Sequence, residues 1–163
     1  MERAPVAAFI GLGANLGDAV ASVRQAIQAL ARSPGTRACT ASRLYRSAPL
    51  DATGPDFINA VVRLDTTLTA PALLQALQAI EAAAGRQRPY RNAPRTLDLD
   101  LLLFGTARID SARLTVPHPR WHQRAFVLRP LAELAPKLVS AALLQAVADQ
   151  ACEPLEPPLE QQA

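Results

Sequence analysis

The chain has 163 residues, 50% hydrophobic and 19% charged, a globular composition of a size that closes one core and leaves little room for a second domain. A net charge of +3 excludes a histone-like polycation, and no apolar run reaches the ~20 residues that cross a bilayer. Cys39 and Cys152 lie far apart without C-x-x-C spacing, which argues against a zinc or redox motif, and "MERAPVAAFIGLG" is too short in its apolar run for a signal peptide. A soluble, cytoplasmic monomer with no membrane and no nucleic-acid partner is expected.

In chain order, "VAAFIGLGAN" reads as a buried strand ending in glycines, and "DAVASVRQAIQALARS" as a helix opened by Asp18, with Val20, Val23, Ile27 and Leu30 on one stripe. In "GLGANLG" the third glycine arrives one residue late for G-x-G-x-x-G, and no acidic ribose partner follows, so these read as turn glycines at a strand edge. "CTASRLYRSAP" and "FINAVVRLDT" form two further strands, a hairpin across "LDATGPD". "TAPALLQALQAIEAAAGR" is a helix with Thr69 as N-cap, Pro71 in its first turn and Gly85 at its stop. Leu73, Leu74, Leu77 and Ile80 make its core face, while Gln78 and Glu81 share a polar flank.

"RQRPYRNAPR" has four arginines, two prolines and no apolar periodicity, and is expected to be a mobile loop. A leucine-rich strand follows, then a short strand or turn near "ARID", the extended "RLTVPHPRWHQ", and two helices, "RAFVLRPLAEL" and "SAALLQAVADQ", separated around Pro136. The proline-broken, acidic tail from 153 to 163 is expected to be disordered, leaving a folded domain over 1–152. No internal repeat is present. The pattern predicts an α+β fold, one sheet with helices on both faces.

The leucine-rich strand, "TLDLDLLLFG", carries two aspartates. On a strand Asp98 and Asp100 project to one face, and Leu97, Leu99, Leu101 and Leu103 to the other. Their carboxylates stand roughly 6 to 7 Å apart, where they repel by about 2 to 3 kcal/mol at an effective dielectric near 20. A bridging divalent cation removes that repulsion, and hard oxygen donors suit magnesium completed by water and substrate phosphates. A polar strand face paired with arginines is the other reading: between Arg86 and Arg129 nine arginines face three acids.

The segments "RNAPRTLDLDLLLFG", "YRSAPL", "PDFINA" and "RLTVPHPRWHQRAFVLRPL" together resemble the 6-hydroxymethyl-7,8-dihydropterin pyrophosphokinases of folate biosynthesis, from the first strand to about Pro136. The resemblance implies a ferredoxin-like α/β/α sandwich with a mostly antiparallel sheet. It implies transfer of the β,γ-pyrophosphoryl group of ATP to the pterin's hydroxymethyl oxygen, with AMP released and two Mg2+ ions held by Asp98 and Asp100. It places Arg86 and Arg95 with these aspartates in catalysis. Arg88, Arg91, Arg113, His118 and Arg124 match positions near the triphosphate, and Gln78, Glu81, Leu101 and Thr115 match positions lining the nucleotide site. Phe57 and Phe126 match the rings that sandwich the pterin, with Asn59 at its edge and Ser47, Pro49 and Leu50 bordering the pocket. Asn92, Pro119 and Ala48 depart from residues common in the family.

Two other function classes carry part of the pattern. D-x-D also serves nucleotide-sugar transferases and nucleotidyltransferases, whose products are a nucleoside diphosphate or pyrophosphate in place of AMP. A ferredoxin-like RNA-binding module would use the arginines and Tyr90, yet the K/R-G-F/Y run of such strands is absent.

Overall fold

A computed structural model of the protein describes residues 3–49, 54–85 and 97–156. The uncharged run β1 (Val6–Ala14) lies inside a six-stranded sheet and pairs antiparallel on both edges, with β4 (Phe57–Thr66) and β5 (Asp98–Phe104). A strand bonded on both edges, covered on one face and partly covered on the other, is apolar at nearly every position. β2 (Thr36–Ala41) and β3 (Tyr45–Ser47) follow one another along the other edge of β4, the expected hairpin. Ser42 bridges the break between them: its N–H donates to the Val61 carbonyl at 2.9 Å, and its hydroxyl accepts from the Val61 N–H at 3.0 Å. With β2 and β3 taken as one interrupted strand, the sheet order is fourth, first, third, second, the ferredoxin-like βαββαβ arrangement.

The helices start where their caps require. The Asp18 carboxylate accepts from the Ala21 N–H at 3.0 Å to open α1 (Ala19–Ala31), and the Thr69 hydroxyl accepts from the Ala72 N–H at 3.2 Å to open α2 (Ala70–Gly85). Both helices cover one face, where Val23, Leu30, Leu73 and Leu77 pack on Ile10, Leu12, Val62, Leu64 and Leu99. A two-stranded sheet of β6 (Ile109–Asp110) and β7 (Thr115–Val116) follows β5. On the opposite face α3 (Ala125–Leu134) places Val127, Leu128 and Leu131 against Phe9, Tyr45, Val61 and Leu102, and α4 (Ala141–Ala146) adds Leu143 and Leu144.

Three expectations are corrected. Chain order does not leave the fold at residue 153: β8 (Cys152–Pro154) pairs with the outer edge of β3, the Leu155 N–H donates to the Leu44 carbonyl at 2.9 Å, and an Arg43 guanidinium nitrogen donates to the Glu156 carbonyl at 2.9 Å. An open sheet edge accepts a proline-containing strand, so composition alone misjudged this segment; 157–163 lie outside the described residues. Gly11 and Gly13 are interior to β1, and the turn glycine is Gly17, at φ 60°. Leu103 does not share a face with Leu99 and Leu101. The pairing slips between Phe9 and Ile10, a bulge that turns Leu103 toward the α3 face and Phe104 back under α1 and α2.

Candidate functional site

Register builds the site. Tyr45, Asn59, Gly13 and Asp98 stand in one row across four strands, and Val61, Gly11 and Asp100 in a neighbouring row. All project to the face opposite α1 and α2, as two-residue periodicity dictates. α3 covers only the part of that face around Phe9, Val61 and Leu102, so the end holding Gly11, Gly13, Asn59 and the aspartates stays open. With strands about 4.8 Å apart, Asn59 and Asp98 sit roughly 10 Å apart across Gly13 of β1, which sets no side chain between them. The result is a cleft of about 460 Å³ with a bare backbone floor.

Eight of the expected site residues line it: Pro49, Phe57, Asn59, Asp98, Asp100, His118, Arg124 and Phe126. Phe57 enters from the start of β4 and Phe126 from the first turn of α3, whose ring carries the Arg124 guanidinium 5.4 Å from its centre. Ser47, buried just behind, donates its hydroxyl to Asn59 Oδ1 at 2.5 Å. Pro117 follows a cis peptide, and the next N–H, that of His118, donates to the Leu102 carbonyl at 2.9 Å, holding the loop against β5. His118 Nδ1 accepts from the Arg120 N–H at 3.1 Å, so the ring proton resides on Nε2. Burial lowers the His118 pKa below its ordinary value; Asp100 pulls it up, and Arg124 and Arg120 push it down. The imidazole therefore stands neutral near pH 7, as a hydrogen-bond donor.

Other expected residues are placed elsewhere. The Leu101 side chain, 4% exposed, packs in the core under the helices. Glu81 on α2 accepts from the Leu99 N–H at 2.9 Å, Gln78 is exposed on the same helix, and Arg113 and Thr115 are exposed before and within β7. None of these five lines the cleft. Leu50 and the arginines expected at the phosphates, Arg86, Arg88, Arg91 and Arg95, lie outside the described residues, with Tyr90 and Asn92 of the same loop.

Sequence reasoning missed Gly11, Gly13, Arg120 and Gln123, all in the cleft wall or floor. Alternation of the two glycines with Leu12 on a strand was the available signal for the first pair. The second pair belongs to "PHPRWHQR", where only folding shows which polar residues turn inward. As a donor set the cleft offers two exposed carboxylates on one strand face, and no group of three His, Cys, Asp or Glu able to hold a metal exists among the described residues. Two carboxylates suit magnesium, which takes its remaining oxygens from phosphates and water, and do not suit zinc. No helix among the described residues is long and apolar enough to cross a membrane.

Comparison with known proteins agrees with this geometry. Residues 9–136 match the family model for 7,8-dihydro-6-hydroxymethylpterin-pyrophosphokinase (HPPK). A 2-amino-4-hydroxy-6-hydroxymethyldihydropteridine pyrophosphokinase of Pseudomonas aeruginosa is 50% identical over 131 residues, 80% of this chain and 81% of that protein. One of the same name from Methylorubrum extorquens is 46% identical over 133 residues, 81% of this chain and 84% of that protein. In structure, a crystallised HPPK-DHPS in complex with substrates superposes with a TM-score of 0.66 at 12% identity, over 82% of this chain and 40% of that longer one, a likeness of fold alone.

Proposed function

The chain belongs to the 7,8-dihydro-6-hydroxymethylpterin-pyrophosphokinase family and transfers a pyrophosphoryl group to hydroxymethyldihydropterin in folate biosynthesis, and we propose that it draws that group from ATP at Asp98 and Asp100 with two Mg2+ ions. The observation that carries this reading is the shared face of the two aspartates, opening on the same cleft as Phe57, Asn59 and Phe126. Bound there, the ions would supply charge neutralisation for the triphosphate.

The protein's own groups bind and orient. Phe57 and Phe126 offer aromatic faces to a planar heterocycle, worth roughly 0.5 to 1.5 kcal/mol beyond the area they bury. Asn59 reads the heterocycle's edge, and the bare floor at Gly11 and Gly13 lets its plane approach the backbone. The substrate's hydroxymethyl group then points along the row toward Asp98. Arg124 and the Nε2–H of His118 donate to phosphate oxygens, each charge-assisted bond contributing about 1.5 to 3 kcal/mol. The hydroxymethyl oxygen forms its new bond to the β-phosphorus and gives up its proton to water, the bond from that phosphorus to the α-phosphate's bridging oxygen breaks, and AMP leaves carrying that oxygen. Arg86 and Arg95 are proposed to steady the transferring group.

Incubation with ATP, Mg2+ and 6-hydroxymethyl-7,8-dihydropterin tests the reading. AMP and a diphosphorylated pterin are expected in equal amounts, and a chelator should stop both; release of pyrophosphate or ADP would overturn it.

A further inference from the structure

We propose that Ser47 is a positioning residue: its hydroxyl holds the Asn59 amide in one orientation, Nδ2 turned over Gly13 into the cleft, so that the site reads a hydrogen-bond acceptor on the substrate's edge. The inference rests on the pterin reading above.

The contact itself sets the polarity. At 2.5 Å, Ser47 Oγ to Asn59 Oδ1 falls in the range of O–H···O bonds and below that of N–H···O bonds, which assigns the oxygen of the amide to Ser47. Nδ2 must then point away. It lies beside Gly13, where a Cβ would come within 3.2 Å of it and 4.0 Å of the Phe57 ring. Asn59 is 4% exposed and Ser47 3%, yet among the described residues no acceptor meets Nδ2. Buried donors are ordinarily paired. This one faces the cleft, where a ring nitrogen or carbonyl oxygen of a fused heterocycle would complete it. Tyr45, the other cross-strand neighbour of Asn59, cannot take over from Ser47, because its hydroxyl is bonded to Glu133. Without the Ser47 hydroxyl the amide is free to rotate and can present Oδ1, an acceptor, to the same edge.

Gly13 is the second half of the device. It leaves open the space through which the ligand reaches Nδ2, in a strand backbone that alanine also adopts.

The test is steady-state turnover of wild type, Ser47→Ala, Ser47→Thr and Gly13→Ala, with the pterin and ATP each titrated separately. Ser47→Ala is expected to raise the pterin KM about three- to tenfold while ATP KM and kcat move less than about twofold. Ser47→Thr, which keeps the hydroxyl, is expected to return the pterin KM to near the wild-type value. Gly13→Ala is expected to show the same selective rise with the melting temperature held. An unchanged pterin KM in Ser47→Ala, a parallel rise in both KM values, or failure of threonine to rescue overturns the proposal. Absence of AMP formation by the wild-type chain would overturn the pyrophosphokinase reading instead.

Discussion

The two faces of β5 are built from alternate residues of one seven-residue strand and do opposite work. Toward α1 and α2 stand Leu99 and Leu101, with Leu97 just ahead of the strand, each no more than 5% exposed and sealed by two helices. Toward α3 stand Asp98 and Asp100, both exposed, because that face is covered only as far as Leu102. A strand can therefore carry core and site at once, provided the covering layer on one side stops short. Where it stops, carboxylates keep their water, and the glycines of β1 keep the floor clear.

Substitutions on either face should separate cleanly. The largest effect is expected from Asp98→Ala or Asp100→Ala: AMP release falling about a thousandfold or more, since several kcal/mol of charge stabilisation is lost, with circular dichroism and melting temperature near those of the parent. Near-parental turnover in either would erase the distinction between the faces. Leu99→Ala, one residue away, should do the reverse, costing about 2 to 5 kcal/mol in urea unfolding while the molecules that remain folded turn over normally. Phe126→Ala, on the helix that bounds the open end, should weaken the pterin by roughly 0.5 to 1.5 kcal/mol of stacking, read as about a two- to twelvefold rise in its KM. Thr69→Ala sits behind the sealed face and removes the cap of α2; about 1 kcal/mol of stability is expected to go, with no change in KM for either substrate.

pH sharpens the comparison in the same direction. His118 belongs to the open face, and its folded pKa is lowered, chiefly by burial. Below its ordinary value of 6.5 the unfolded chain binds a proton that the folded chain resists. Stability is thus full above pH 6.5 and is lost as pH falls through the lowered value. An imidazole titration by NMR should show a midpoint below 6.5, and His118→Gln should flatten the stability profile in that window. A midpoint above 6.5 would mean that Asp100 outweighs burial.

Behind the cleft, on β3 next to Asn59, a half-buried polar cluster accounts for the docking of residues 152–156. Glu133 of α3 accepts from the Arg43 backbone N–H and its Nε, both at 3.0 Å, and from the Tyr45 hydroxyl. Burial, with the Glu133 contact, raises the Tyr45 pKa to about 12, so the phenol stays protonated as a donor. Arg129 donates to the Cys152 carbonyl, tying β8 to α3. These bonds span about a hundred residues of sequence, from 43 to 156, and no local pattern announces them.

Much of the fold was nonetheless legible in the amino-acid order. Caps at Asp18 and Thr69, the stripe of Val23 and Leu30, and the alternation in "LDLDL" are local signals, because helix and strand periods and end-group hydrogen bonds are properties of a few consecutive residues. The D-x-D pair with its arginines, and the family likeness of the segments around it, already pointed to phosphate chemistry. Tertiary structure alone decided the rest: that Gly11 and Gly13 form a floor, that the bulge turns Leu103 across the sheet, that Leu101 is core, and that residues 153 to 156 close an edge. Each depends on which strand lies beside which and how far a helix reaches over them, and such contacts join residues that sequence separates.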